Sequence, residues 1–264
     1  MQAGVPMLSE MQGDCKIPKI KTKPTFGWVT ENNDFAEQDM DFDNVTATPK
    51  YAGNIQVFSW AIFLRSAGAA IQNFVQRELM NSFSAGVETA AVRADGSAGS
   101  IKGLYHIVPA ANKIDAQVDA NTGGKISYAR CLETEAKILA TNQNKPLVWL
   151  VNTTQKVKAQ QELKFAVSGA NQLLMNDMLA DRKVIITNAV DSNIDHGTSK
   201  TSRIALLQPE SLLLLRWTGG VQLQLNSMAE SFWKKGAVGV RIMDALDFIS
   251  RRPDSTASLD NLAN

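Results

Sequence analysis

Backbone N–H groups in a glycine-rich turn can cradle a phosphate, and Asp95-Gly96-Ser97-Ala98-Gly99-Ser100-Ile101-Lys102-Gly103 has the composition for it. Its flanks argue against that use. A nucleotide-binding turn follows a strand and opens a helix, whereas this one follows a helical pattern, and Lys102 is followed by Gly103 where a P-loop needs Ser or Thr. Acyl transfer would draw on one of two histidines, His106 or His196, and no Gly-x-Ser-x-Gly turn accompanies either. His196 lies in the polar segment Asp195-His196-Gly197-Thr198 and reads as solvated; His106 reads as a boundary residue after the glycine-rich turn. Cys15 and Cys131 match no metal or redox spacing, and the sequence offers no tight cluster of three nitrogen or sulfur ligands for zinc. Carboxylates are dense at Glu31, Asp34, Glu37, Asp39, Asp41 and Asp43, but an exposed acidic stretch has no desolvated pocket to split their pKa values for acid–base work. These residue types point to no enzyme, no cofactor and no metal.

The elements that carry them follow a telling order. Residues 1–24 hold Pro6, Pro18 and Pro24 with no sustained period, and read as an extended arm ordered by a partner surface. From residue 26 to 49 the anchors Trp28, Phe35, Met40, Phe42 and Val45 stand isolated among acids and amides. Alternation at Asp41-Phe42-Asp43 and Val45-Thr46-Ala47 predicts a two-stranded ribbon, which is marginal in water unless it lies on something. Residues 55–62 read as a strand returning to the body. Ile71, Phe74, Val75, Leu79, Met80, Phe83, Val87, Ala90 and Ala91 then recur at steps of three or four, predicting a helix over 66–93 with Ser66 as N-cap and Asp95-Gly96 as the stop. At 1.5 Å per residue that helix spans roughly 40 Å, more than the width of many small domains. Gly86 inside it costs about 1 kcal/mol relative to Ala, so packing must supply its stability.

Beyond the glycine-rich turn, helical and strand-like segments alternate as in an α/β or α+β layer. Helices are expected at 131–140, 153–165 (entered through Asn152 or Thr153) and 171–179, and strands at 147–151 and 183–187. Residues 189–202 read as an exposed polar loop. Leu212 to Trp217, the Gly219-Gly220 turn and Val221 to Leu225 predict a hairpin, 238–248 a last strand or mixed segment, and the residues after Arg251-Arg252-Pro253 a frayed tail. Trp60, Trp149, Trp217 and Trp233 fall at expected core or hairpin positions.

The 264 residues and 44% hydrophobic content suit one large or two modest domains, and a net charge of +1 excludes a strongly basic coat for nucleic acid. Charge is uneven along the chain. Lys16, Lys19, Lys21 and Lys23 precede the acidic stretch, and arms of opposite sign could draw neighbouring copies together or be simply solvated. Neither a secretory leader nor an apolar run near the roughly 20 residues of a membrane helix is visible, so a soluble protein without a membrane partner is expected. Two well-separated cysteines fit a reducing compartment.

Trp28-Val29-x-Glu31, Pro49-Lys50, the helix with Phe74-Val75 and Glu78-Leu79, and the ending Asp95-Gly96-x-x-Gly99-Ser100-Ile101-x-Gly103-Leu104 resemble, in order and spacing, the major capsid proteins of tailed bacteriophages with the Hong Kong 97-type shell fold. Trp217-Thr218-Gly219-Gly220, Val238-Gly239-Val240-Arg241 and the segment from Ala245 to Ile249 agree more loosely with that family's last strands. The resemblance runs from residue 26 to 250 and is weakest between 112 and 181. It implies an α+β subunit with an N-terminal arm (1–25), an extended E-loop (26–53), a P-domain that begins with the spine helix and glycine-rich loop (54–105), an A-domain (106–211), a P-domain hairpin with C-terminal strands (212–250) and a tail (251–264).

The same resemblance implies self-assembly through hexamers and pentamers into an icosahedral head enclosing double-stranded DNA, formed in the host cytoplasm and ending in the virion. Portal and scaffolding proteins would be the other partners. Trp28, Phe35 and Phe42 become candidate interface anchors, and Glu31, Lys50, Arg77 and Glu78 candidate polar contacts. Two departures from the family carry expectations. With no lysine between Trp28 and Pro49, the Lys–Asn cross-link that locks some of these shells is not expected. A long charged scaffold segment is also missing from the start, implying a separate scaffolding protein or a mature form. An encapsulin shell of the same fold, and a soluble α/β enzyme or ligand-binding protein, remain the alternatives.

Overall fold

The computed structural model of the chain describes residues 4–21, 27–31, 33–34, 37, 41–59, 61, 68–117, 123–141, 146–165, 171–228 and 230–264. In chain order the elements are β1 (Met7–Leu8), β2 (Cys15–Ile20), β3 (Phe42–Ala47), β4 (Lys50–Ser59), α1 (Gly68–Arg93), α2 (Leu104–Ile107), β5 (Lys113–Asp115), α3 (Tyr128–Leu139), β6 (Val148–Val151) and α4 (Thr153–Gln161). They continue with β7 (Leu174–Met175), β8 (Met178–Leu179), β9 (Arg182–Ile186), β10 (Ile194–His196), β11 (Ser199–Leu207), β12 (Leu212–Arg216), β13 (Gln222–Asn226), α5 (Glu230–Trp233), β14 (Ala237–Ser250) and β15 (Thr256–Ala263).

The smaller sheet is organised by β14, whose 14 residues pair along one edge with β4, from Ala237 with Ser59 to Leu246 with Lys50. Its other edge takes β13 (Val240 opposite Leu225) and then β12 (Leu246 opposite Arg216) end to end. The hairpin expected of residues 212–225 is therefore not formed. Both segments pair with β14 rather than with each other, β12 as a run of four buried leucines and β13 with Leu223 and Leu225 alternating with glutamines, and the Trp217 to Val221 stretch bridges them. The first helix lies on this sheet as a stripe of Val75, Leu79 and Phe83 against Val240 and Ile242. Phe74 and Met80, expected on the same face, point into solvent; a stripe with steps of four leaves its i−1 and i+1 neighbours outside. Ser66 lies outside the described residues. The 26 residues of α1 give it a length of about 39 Å.

The larger sheet runs β5-β15-β11-β6-β9-β8-β7, with β10 paired to β11. Val148–Val151 is buried on both faces, which is why it reads as a continuous apolar run. Trp149, Val151, Val184, Ile204, Leu206, Ala257 and Leu259 face α3 and α4. Alternate residues Val148, Leu150, Ile185, Ala205 and Leu207 face the smaller sheet and the end of α1. Asn152 caps α4 by accepting a hydrogen bond from Gln155 N at 2.7 Å, and Ser127 caps α3.

Several expectations fail for identifiable reasons. The tail is not frayed: β15 is an interior strand between β11 and β5, with Ala257, Leu259 and Leu262 fully buried. Its hydroxyl-rich approach is buried because the hydroxyls are satisfied locally, Ser255 Oγ on Ser211 Oγ at 2.5 Å and Thr256 Oγ1 on Pro253 O at 2.6 Å. Residues 171–179 form the β7–β8 hairpin rather than a helix, since Asn176 and Asp177 both take positive φ (52° and 56°) as its turn. The polar stretch 189–202 contains β10 and the start of β11, turning at Gly197, and Thr201 and Ser202 within it are buried. The helix expected over 153–165 ends at Gln161, where Glu162 O and Lys164 N turn to pair with Leu173 and Asn171.

Leu259→Ala is expected to cost about 2–5 kcal/mol in urea unfolding, as a fully buried leucine should. A loss under about 0.5 kcal/mol, the size of a surface change, would mean that β15 does not hold the sheet together.

Candidate subunit interface

The acidic flap and the N-terminal arm form one ribbon. The second strand pairs antiparallel with the third, from Cys15 opposite Ala47 to Ile20 opposite Phe42, so part of the expected arm forms one strand of the ribbon. The arm is ordered by its own chain: Met7 and Leu8 pair in parallel with Leu214 and Leu215, and Trp217 Nε1 donates to Gly13 O at 2.6 Å. Alternation along the arm explains the ribbon. Cys15 and Ile17 turn toward Val45, Ala47, Leu213, Leu215 and Ile249 at the ribbon's root, and farther out the same alternation carries Lys19 and Lys21.

Those lysines meet the flap's acids within the chain. Lys19 Nζ lies 2.9 Å from Asp43, and Lys21 Nζ 2.8 Å from Asp41. Attraction between neighbouring copies is thus not where these two pairs are spent. The hydrogen bond from Lys19, with a smaller one from Asn44 N, holds the Asp43 carboxyl below its ordinary value. Glu31, Asp34 and Glu37 make no ion pair with a described residue.

Beyond the root the ribbon is exposed, with Trp28 at 93% and Phe42 at 62%. Glu31 is exposed on the same flap, and Phe35 lies outside the described residues. Arg77 and Glu78 are exposed on α1, and no hydrogen bond or ion pair joins them to the described residues of the flap. Lys50 is different: its Nζ sits 2.9 Å from Asp247 of its own chain, an intramolecular pair at the base of the flap.

The body of the subunit exposes a second apolar set that the sequence reading missed. Tyr51, Ile55 and Val57 stand out from β4, and Leu225, Met228 and Trp233 cluster by sequence near Lys234 and Lys235. Trp233 is 76% exposed instead of packed, because Phe232 takes the inward position against Gly239, where an added Cβ would come within 2.4 Å of the ring. The alternation of Ile55 and Val57 with Asn54 and Gln56 signals a strand with one apolar face, but not that this face looks outward.

The glycine-rich loop does structural work. Gly103 N donates to Ala94 O at 2.6 Å, and a Cβ at Gly103 would approach Ala90 O to 2.8 Å, so the loop closes tightly over the end of α1. An apolar groove of about 420 Å³ lies between α1, β4 and this loop, with Leu79, Phe83, Ile101 and Ile242 in its lining. No group of three or more His, Cys, Asp or Glu among the described residues could hold a metal ion. Cys131 is buried in the large sheet's core, which pushes its thiol up to about 12. No helix is long and apolar enough to cross a membrane among the described residues.

The model of the phage capsid family matches residues 1–260. The chain belongs to that family. It is 30% identical over 78 residues to the major capsid protein of Halomonas phage phiHAP-1, a stretch covering 30% of this chain and 13% of that protein. Among solved structures, the capsid of a native GTA particle aligns with 99% of this chain and 89% of its own at a TM-score of 0.77 and 13% identity. Mycobacterium phage Bobi gives 0.75 at 9% identity over 98% and 88% of the two chains. The SrpI encapsulin of Synechococcus elongatus PCC 7942 gives 0.67 at 10% identity over 98% and 85%. The fold is the Hong Kong 97-type shell fold.

A carboxylate whose value is depressed on folding adds stability above its unfolded value and loses it as the pH falls through the depressed one. Lys19→Ala is expected to return Asp43 toward about 3.9 in a carboxyl NMR titration. An unchanged midpoint would assign the depression to Asn44 N and Lys21 instead.

Proposed function

We propose that copies of this chain assemble through hexamers and pentamers into an icosahedral phage head that encloses double-stranded DNA. One observation carries the reading: a single chain exposes two incomplete surfaces of different kinds. The flap presents Trp28 and Phe42 with the acids Glu31, Asp34 and Glu37. The smaller sheet presents Tyr51, Ile55 and Val57, and Leu225, Met228 and Trp233 beside Lys234 and Lys235. A flap laid on the sheet of the next copy would cover both, and such a head-to-tail contact closes into rings when the rotation allows. Phe35 is a third flap anchor in this reading, and Arg77 and Glu78 are polar contacts on the outer face of α1. Lys50 serves its own chain.

Magnitudes favour many contacts over one. Burying a Phe-sized side chain contributes about 1.5–3 kcal/mol, whereas association costs about 4–15 kcal/mol. One flap would hold two subunits weakly; a subunit gripped by several neighbours at once is held firmly. The smaller sheet with α1 then forms the peripheral domain, and the larger sheet, including β15, the axial domain around ring centres. Portal and scaffolding proteins would join during assembly in the host cytoplasm. An encapsulin compartment shares the fold, but the family match and the Halomonas phage relative favour the phage head.

Sedimentation and negative-stain microscopy of the purified chain are expected to show closed particles under assembly conditions. A discrete small species in every condition would count against the shell. Trp28→Ala should lower particle yield while leaving the subunit's unfolding free energy in urea within about 0.5 kcal/mol of wild type; a cooperative unfolding loss of several kcal/mol would instead make Trp28 a folding residue.

A further inference from the structure

The flap leaves the body at one corner, where β3 ends at Ala47, Thr48 and Pro49 turn, and β4 begins at Lys50. The ladder between β4 and β14 stops there, its last pair being Leu246 with Lys50. The next residue of β14 is Asp247, which is almost wholly buried. Its Oδ2 accepts from Thr48 N at 3.1 Å, and its Oδ1 from Lys50 Nζ at 2.9 Å and from Phe248 N at 2.9 Å. A side chain thus takes the backbone donor of Thr48 just where the sheet ladder ends. Leu213, Leu215, Ile249 and Ala47 pack in the apolar cluster at the same root. A buried carboxylate is costly unless its oxygens are fully engaged, and an aliphatic residue would fill such a site without that cost. The geometry of its three donors, two of them on the flap's corner, supplies what an aliphatic residue lacks: direction.

We propose that Asp247 is the positioning residue that sets the angle at which the flap leaves the body, with Lys50 as its counter-charge. That the angle governs assembly rests on the flap-to-neighbour reading above; the angle itself belongs to the isolated subunit.

The test is hydrogen exchange, followed by mass spectrometry, on the full-length unassembled chain carrying Asp247→Asn, whose amide can accept at only one atom. Peptides covering residues 42–50 are expected to exchange about tenfold faster, the loss of a charge-assisted hydrogen bond, while peptides covering 238–242 stay as in wild type. Particle yield should fall with them. Unchanged exchange at 42–50 would overturn the proposal, as would faster exchange spread evenly over the smaller sheet, which marks a merely structural residue. Local loosening with normal particle yield would support the positioning role and count instead against the flap-to-neighbour contact. If Asp247→Asn does not fold, Thr48→Pro removes the backbone donor at an exposed residue and leaves the buried ion pair intact. The same exchange pattern decides it.

Discussion

Two sheets meet through a seam of aliphatic side chains, Val148, Leu150, Ile185, Ala205 and Leu207 from the larger and Leu212, Leu214, Leu246 and Phe248 from the smaller, with Val92, Leu104 and Tyr105 packed into the same cluster. Each fully buried leucine or phenylalanine contributes about 1.5–3 kcal/mol, so the seam outweighs the exposed ion pairs, which contribute about 0–1 kcal/mol each. Polar contacts give the seam its orientation. Arg93, at the end of α1, donates to the carbonyls of Asn188 (2.8 Å), Ala189 and Val190 (3.0 Å) and pairs with Asp191 at 2.9 Å. One turn earlier, Glu88 accepts from Thr187 Oγ1 at 2.6 Å. The guanidinium fork suits this role because its donors lie in a fixed plane. The long helix is thereby tied at its last turns to the larger sheet and along its middle to the smaller one.

A shell subunit needs that rigidity for a geometric reason. When many copies close a surface, a small error in the angle between the two sheets is repeated at every contact, and packed interiors resist such errors because they are not continuously deformable. The flap is built on the opposite principle. Its root is a small apolar cluster, its length is held by ladder hydrogen bonds and two exposed ion pairs, and its apolar residues are left for something else to cover. In a monomer, an apolar strand such as β4, whose second edge meets no described strand, would be an aggregation hazard. In the proposed shell, that surface is where a neighbour docks.

Buried charge recurs where chain segments must be aimed. Asp244, fully buried on β14, faces Arg216 at 2.7 Å, and Asp247 three residues on faces Lys50. Each carboxylate sits on the central strand, and each cation comes from a strand that flanks it. Two such pairs on one strand fix how β4 and β12 lie beside β14, which hydrophobic burial, being non-directional, could not do alone.

The spacing of Val75, Leu79, Phe83 and Val87 was enough to read α1 from sequence, and the alternation at Phe42 to Ala47 was enough to read a ribbon strand, because both patterns are local. The family resemblance was legible for the same reason. Strand partners were not. Ser255 and Thr256 look like a solvated tail until Ser211 and Pro253 supply their hydrogen bonds, and Leu212 to Leu225 look like a hairpin until β14 offers a longer apolar edge to both halves. Lys50 reads as a surface charge until β14 brings Asp247 beneath it. Sequence alone determined the elements with strong local periodicity, such as α1 and β3, and which side chains are apolar, since those follow from spacing and residue type. Tertiary structure alone decided which edge each strand joins and which charges are buried together, since pairing energy depends on residues nearly two hundred positions apart, as Lys50 and Asp247 are.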